Sequence, residues 1–310
     1  MSLIFGINLC DRVYISADTR LTDKNSLGEI ISFKDNLLKL EIISNDVALA
    51  VAGSADMASF IIKKLLKSKA VKLNIRELRA EIEEIINPLV DEYWKTKNAK
   101  ANVCFIFGGL NRQEKKLLDK KDIYEKIMQF SKAEPNHNSM NMKNALFNSM
   151  VEKRYPEPSD SHIFSIEIYP PSSLIVTDTK WGEYLAFGPK GINRDSLPTI
   201  TLGKLEFESK SVDDGSVDSL LITAIMKEVA EKKQEQTIGG AITTIVTTDV
   251  ITGLITSSVR RFNPSNNTSD HLSETLVIGG TLYRKDDRGT LYKLISLKDY
   301  KDFGSLEMVI

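Results

Sequence analysis

Four pieces of the first 53 residues carry the pattern that specifies the fold. They are Leu3-Ile4-Phe5-Gly6-Ile7-Asn8-Leu9, Val13-Tyr14-Ile15-Ser16-Ala17-Asp18-Thr19-Arg20, Leu37-Leu38-Lys39-Leu40-Glu41-Ile42-Ile43, and Val47-Ala48-Leu49-Ala50-Val51-Ala52-Gly53. The first two are short, apolar and partly β-branched, with the polar pair Asp11-Arg12 between them, so residues 3–18 read as a hairpin. Strand alternation puts Ser2, Ile4, Gly6 and Asn8 on one face. The third piece is another strand, Ser44-Asn45-Asp46 is a turn, and the fourth piece is a strand apolar on both faces, which calls for cover on both sides. Residues 21–30, with Asp23, Lys24, Asn25 and Gly28, read as an exposed loop.

Outward from this stretch the pattern changes period. Gly53-Ser54-Ala55-Asp56 opens a helix that Ser54 or Asp56 caps, with Met57, Phe60, Ile61 and Leu65 as its apolar stripe. Residues 74–96 repeat the helical period through Leu78, Ile82, Ile85, Ile86, Leu89 and Tyr93, with Pro88 as a bend. A strand from Asn102 to Phe107 ends at Gly108-Gly109. Residues 111–161 break the rhythm: they are dense in charge, then rich in Asn and Met, and are expected to form an inserted helical arm. Strands resume at 163–169, 174–178 and 184–187. A third helix is expected over Val217 to Ala230, then strands at 241–248 and 251–259, a polar loop at 262–274, and short terminal strands. Strand pairs, two helices, strands, a helix and strands again predict an antiparallel layered fold with helices on the sheet faces.

Composition narrows the classes. The chain has 310 residues, 42% hydrophobic and 27% charged, enough to bury a sizeable core. Net charge is −1, which provides no whole-protein field for nucleic acid or an anionic membrane. No apolar run approaches the ~20 residues of a membrane span. Cys10 and Cys104 lie among apolar residues and suggest buried thiols in a reducing compartment; with no secretory signal in view, a cytoplasmic protein is expected. His137, His162 and His271 are scattered, with no ligand spacing for a metal and no phosphate-cradling loop, so neither metal nor cofactor is expected.

The N-terminal stretch also has a chemistry. A serine hydroxyl needs a base, and a free α-amino group, with an unperturbed pKa of about 7.7–8.0, is one. If Met1 is removed, Ser2 carries hydroxyl and amine on one residue. A cation nearby lowers the hydroxyl pKa and keeps the amine neutral. Lys39 is the candidate, held by Asp18. Gly53, at a strand-to-helix turn, is the candidate N–H donor to a developing oxyanion.

Taken together, these residues resemble the proteasome β-subunit family of N-terminal nucleophile hydrolases. Ser-Ala-Asp18-Thr-Arg20 is similar to the family's Asp-x-Arg strand end, with the aspartate at the family's distance from the nucleophile. The run from Lys39 to Gly53 is similar to the strand pair between catalytic lysine and oxyanion glycine, and Ser54-Ala55-Asp56 continues the match. Lys34 lies at the family's lysine distance counted from Asp18, and Lys39 counted back from Gly53. Lys34-Asp-Asn-Leu-Leu-Lys39 resembles the bacterial two-ring peptidase relatives, in which the second lysine is catalytic. Lys39 is therefore preferred, since five extra residues fit more easily in the 21–33 loop than between paired strands.

The resemblance implies an α+β fold, a four-layer αββα sandwich, as one domain over residues 2–310 with the 111–161 insertion and an extended tail from about 262. It implies a peptidase with Ser2, Asp18, Lys39 and Gly53 in its site, Arg20 in support, and Leu21 and Val51 in the substrate pocket. It implies peptide or unfolded-protein substrates, self-association into a ring or other homo-oligomer, and an ATP-dependent unfoldase as partner. Three positions depart from the pattern. Pro189 and Ile238 stand where the family has serines, and Glu235 stands where it has an aspartate; Glu235 retains only the acidic character. Serine also replaces the usual threonine. The alternatives are a non-catalytic structural or binding member of the family, and an amidohydrolase acting on a small amide.

Overall fold

The computed structural model describes residues 2–9, 12–97, 101–111, 161–170, 173–179, 184–188, 238–248, 252–255, 259–260, 272–278, 281–285, 289–304 and 306. In chain order the N-terminal half comprises β1 (Ile4–Leu9), β2 (Arg12–Asp18), β3 (Leu21–Lys24), β4 (Ile30–Lys34), β5 (Leu37–Leu38), β6 (Leu40–Ile42), β7 (Val47–Gly53), α1 (Ala55–Leu65), α2 (Ile75–Lys97) and β8 (Val103–Leu110). There follow β9 (Ser161–Tyr169), β10 (Ser173–Asp178), β11 (Tyr184–Phe187), β12 (Ile242–Thr248) and β13 (Thr252–Ile255). The last strands are β14 (Val259–Arg260), β15 (Leu272–Ile278), β16 (Thr281–Lys285), β17 (Leu291–Lys293) and β18 (Ile295–Ser296).

Two antiparallel five-stranded sheets form the centre. Sheet 1 runs β11-β1-β2-β12-β13 and sheet 2 runs β10-β9-β8-β7-β6. They pack face to face, with β1 lying across β8 and β9 and β2 across β7 and β8. Small residues let them approach: a Cβ on Gly6 would meet Ile106 at 2.8 Å, and one on Gly108 would meet Val13 at 2.6 Å and Ile15 at 2.9 Å. Ala48, Ala50 and Ala52 line the same layer with Ile4, Ile15 and Ile163. The other face of sheet 2 carries Leu49, Phe105, Phe107, Phe164 and Ile166, buried against Met57, Ile61 and Leu65 of α1 and Leu78, Ile82 and Ile86 of α2. The β7 strand is thus covered on both faces, as its composition requires. Ser54 caps α1, its Oγ accepting from Met57 N–H at 3.3 Å, and Asn74 caps α2, accepting from Glu77 N–H at 3.0 Å while Glu77 accepts from Asn74 N–H.

Four expectations change. Residues 21–34 are a hairpin, not a loop: β3 pairs with β4, and the Asn25 side chain closes the turn by accepting from Leu27 and Glu29 N–H groups. The strand expected over 37–43 is interrupted at Lys39, because β5 pairs with β18 while β6 pairs with β7. The strand after α2 runs through both glycines to Leu110, whose N–H bonds Asp46 O at 3.0 Å; at Gly109 a side chain would collide with that same carbonyl. The loop expected over 262–274 gives way to strand at Leu272, where β15 pairs with β14 and β16.

The tail is also packed into the molecule. Leu297, Tyr300 and Leu306 enter the helix-side core, and Ser59 Oγ and Lys63 Nζ both donate to Tyr300 O. The described residues contain helices on one side of the sheet pair; the helix expected over 217–230, residues 112–160 of the arm, Pro189 and Glu235 lie outside them.

Candidate active site

The site grows from the N-terminal strand pair. Beyond β1, Leu3 O still accepts from Asp18 N–H at 3.1 Å, so the pairing carries Ser2 to the end of sheet 1 beside Asp18. Ser2 is 6% exposed. Asp18 is fully buried, and its carboxylate accepts four donors. Oδ1 takes Leu3 N–H at 2.9 Å and Lys39 Nζ at 2.9 Å. Oδ2 takes Arg20 N–H at 3.2 Å and Gly239 N–H at 3.3 Å. One oxygen therefore joins the Ser2–Leu3 peptide to the Lys39 ammonium.

Lys39 lies between β5 and β6, and its Nζ reaches Asp18. Its Nζ also donates to Arg20 O, and its own carbonyl accepts from Val51 N–H at 3.0 Å, two residues before Gly53. Lys39 is 3% exposed. Burial pushes its ammonium below the ordinary lysine range, and the charge and hydrogen bond of Asp18 act in the opposite direction. A buried charge of this kind persists only when paired and hydrogen-bonded.

Lys34, the competing lysine, lies elsewhere. Its Nζ donates to Phe303 O at 2.8 Å and sits 4.9 Å from the Phe303 ring centroid. Arg20 makes a two-pronged pair with Asp35, Nε to Oδ1 at 2.7 Å and Nη2 to Oδ2 at 3.0 Å. Its guanidinium also lies 3.9 Å from the Phe33 ring centroid and donates to Ile238 O at 3.4 Å. Ile238 contributes a buried side chain and this carbonyl; its N-terminal neighbours lie outside the described residues.

Gly53 ends β7 directly before the cap of α1, with φ +104°. A Cβ there would come within 2.5 Å of Asn102 O, so the turn needs glycine. Val51 is 3% exposed and belongs to the helix-side core, and Leu21 packs half-buried against the same cluster. The structure thus brings Ser2, Asp18 and Lys39 together and holds the strand of Gly53 against Lys39. It takes Lys34 away from them and directs the Arg20 side chain to Asp35.

Sequence reasoning missed Thr19 and Asp35. Thr19 Oγ1 donates to Asp35 O at 2.8 Å and accepts from Ala241 N–H at 2.7 Å, fastening the 238–241 segment beside Asp18. The available signal was the buried Arg20 itself, which requires an acidic partner. Among the described residues no group of three or more His, Cys, Asp or Glu side chains has the arrangement of a metal site. No helix among them is long and apolar enough to cross a membrane.

Neither a protein-family model nor a curated protein matches the chain. Among solved structures it is similar to a Gly-1 mutant of Anbu from Hyphomicrobium sp. strain MC1, at 12% identity and TM-score 0.43, over 86% of this chain and 89% of that one. It is also similar to eukaryotic HslV from Trypanosoma brucei, at 12% identity and TM-score 0.39, over 79% of this chain and 99% of that one. Likeness of this degree identifies neither a family nor an activity.

Proposed function

We propose that the protein is an amide-bond hydrolase acting on peptides, with Ser2 as nucleophile once Met1 is removed. The observation that carries this is the shared Asp18 Oδ1, which joins the main chain at Ser2 to the buried Lys39 ammonium. A carboxylate with four donors holds its place without rearrangement, so both are positioned before any substrate arrives. The Ser2 α-amine takes the hydroxyl proton, directly or through a water, as Oγ attacks the carbonyl carbon. The Lys39 charge favours the ionised oxygen and a neutral amine. The Gly53 N–H stabilises the oxyanion. Collapse expels the amine product, protonated by the same α-ammonium, and water then hydrolyses the Ser2 ester.

In the same proposal Asp18 and Lys39 position and tune, Arg20 supports through its carbonyl and through Asp35, and Leu21 and Val51 belong to the pocket for the acyl side chain. Self-association and an unfoldase partner come from the resemblance alone. The test pairs intact mass with a hydroxyl-directed covalent probe. The expected result is a protein lacking Met1 that is labelled at Ser2, with labelling lost in Ser2→Ala. Equal labelling of both proteins, or retention of Met1 in protein that hydrolyses peptides, would overturn it. Lys39→Ala is expected to lose hydrolysis by about 10²-fold or more, while Lys34→Ala retains it.

A non-catalytic member of the same fold is the second reading, and one observation favours it. Lys39 Nζ is already engaged by Asp18 and Arg20 O, which is also what a purely structural buried pair looks like. A folded, Met1-free protein that neither reacts with the probe nor cleaves peptides would decide for it.

A further inference from the structure

Sheet 2 presents a second set of polar groups to the Ser2 end of the molecule. The β7-β8-β9 register aligns Ala52, Cys104 and Glu167 in one row. Gly6 against Ile106 and Ile163 shows which face of sheet 2 meets sheet 1, and strand alternation puts Cys104, Ser165, Glu167 and Tyr169 on that face. The rows then step together. On β9, Asn8 Nδ2 donates to Ser161 O at 3.2 Å and Gly6 stands against Ile163, so the same two-residue step carries Ile4 over Ser165 and Ser2 over Glu167. The strand that Ser2 precedes, β1, crosses β7, β8 and β9.

The first strand of sheet 1 begins at Ile4, so sheet 1 ends near this level. Glu167 is half-buried and Tyr169 is 38% exposed. Glu167 Oε2 accepts from Tyr169 OH, which pushes the Tyr169 hydroxyl up to about 12. Among the described residues no cation pairs with Glu167. One step inward, the buried Ser165 Oγ also has no hydrogen-bond partner among them. Cys104 is the register partner of Glu167, and its thiol is pushed up by burial first and by the Glu167 charge second. Among the described residues, then, Glu167 is a carboxylate fixed by Tyr169 with no cation beside it. Glu167 belongs to β9, whereas Lys39 lies beside β7, its carbonyl accepting from Val51 N–H.

We infer that Glu167, steadied by Tyr169, is a specificity-determining residue that receives a basic side chain of the substrate on the leaving-amine side of the scissile bond. This rests on Ser2 as the nucleophile and on Leu21 and Val51 marking the acyl side, which leaves the β9 side for the leaving half. A lysine or arginine side chain there forms a charged hydrogen bond with Glu167 Oε1, the oxygen that does not accept from Tyr169.

The experiment uses two internally quenched peptides with the same acyl half, carrying Lys or norleucine directly after the scissile bond. Wild-type protein is expected to favour the lysine peptide in kcat/KM by about tenfold, a charge-assisted hydrogen bond being stronger than a neutral one. Glu167→Gln is expected to level the ratio and Glu167→Lys to invert it, with thermal melts confirming that both variants fold. An unchanged ratio in Glu167→Gln would overturn the inference. The same peptides titrated against Ser2→Ala by fluorescence anisotropy report the preference without hydrolysis. Lysine-selective binding that disappears in Ser2→Ala/Glu167→Gln, with no cleavage by wild type, would overturn the nucleophile and uphold the subsite. Equal binding of the two peptides would overturn the subsite.

Discussion

The two faces of sheet 2 are built from different materials. Toward the helices, Phe105, Phe107, Phe164 and Ile166 interlock with α1 and α2, and Phe107 stacks on Phe164 with ring centroids 5.1 Å apart. Toward sheet 1, the sheet carries the small Ala48, Ala50, Ala52 and Gly108 among Ile106 and Ile163, with Ser165 and Glu167 toward one end. Large apolar side chains on one face hold the molecule together. Glycines and alanines set among isoleucines on the other let two backbones approach, and Glu167 lies toward one end of it. Strand alternation alone makes this division possible, since adjacent residues serve opposite faces.

That division has measurable consequences. Phe107→Ala is expected to cost the most, about 4 kcal/mol in urea unfolding, because it removes a fully buried ring and leaves a cavity. A loss smaller than that at Gly108 would reverse the roles of the two faces. Asp18→Asn is expected to cost about 3 kcal/mol, since it strands the Lys39 charge in the interior. Lys39 also predicts a pH dependence. Its folded pKa lies below the unfolded 10.5, so between the two the unfolded chain holds more protons and stability rises with pH. Unfolding midpoints measured across that window should climb in wild type and climb less in Asp18→Asn/Lys39→Met; identical slopes would count against a strained ammonium.

Gly108→Ala is expected to cost about 2 kcal/mol, as its new methyl must displace Val13 and Ile15. Retained stability would mean that the sheets separate easily. The smallest effect belongs to the rim of the helix-side layer. Asp178 receives two hydrogen bonds from Arg79, at 2.8 Å each, and one from His162 at 3.0 Å. The Arg79 contact first, and His162 after it, lower the Asp178 pKa below 3.8. Its contribution is therefore present above pH 3.8 and lost as pH falls through the lowered value. Asp178→Asn should cost less than about 1 kcal/mol, since 44% of that side chain is exposed.

Apolar periodicity was enough to find the first hairpin, the doubly covered strand at 47–53, both described helices with their stripes, and the Ser54 cap. Each is a local pattern with one favourable outcome in water. The 21–34 hairpin was less legible because its strands expose Ile31 and Phe33, and its polar turn resembles a loop until Asn25 is seen closing it. The break at Lys39 was hidden for a different reason. Leu37 to Ile43 reads as continuous strand, and only the arrival of β18 beside β5, some 250 residues later in the chain, divides it.

By itself, then, the sequence determined the order of strands and helices near the N-terminus and the candidate set of Ser2, Asp18, Lys39, Gly53 and Lys34. Each of the two lysines lies at a defensible distance from a different landmark, and the preference for Lys39 rested on extra residues in a 21–33 loop that is in fact a hairpin. Tertiary structure separated them: Asp18 receives Lys39, and Phe303 O receives Lys34. It also showed Arg20 spent on Asp35 and Glu167 left without a cation among the described residues. Partners of buried charges are chosen by three-dimensional proximity and by the cost of leaving a charge unpaired, and neither is written in a single stretch of chain.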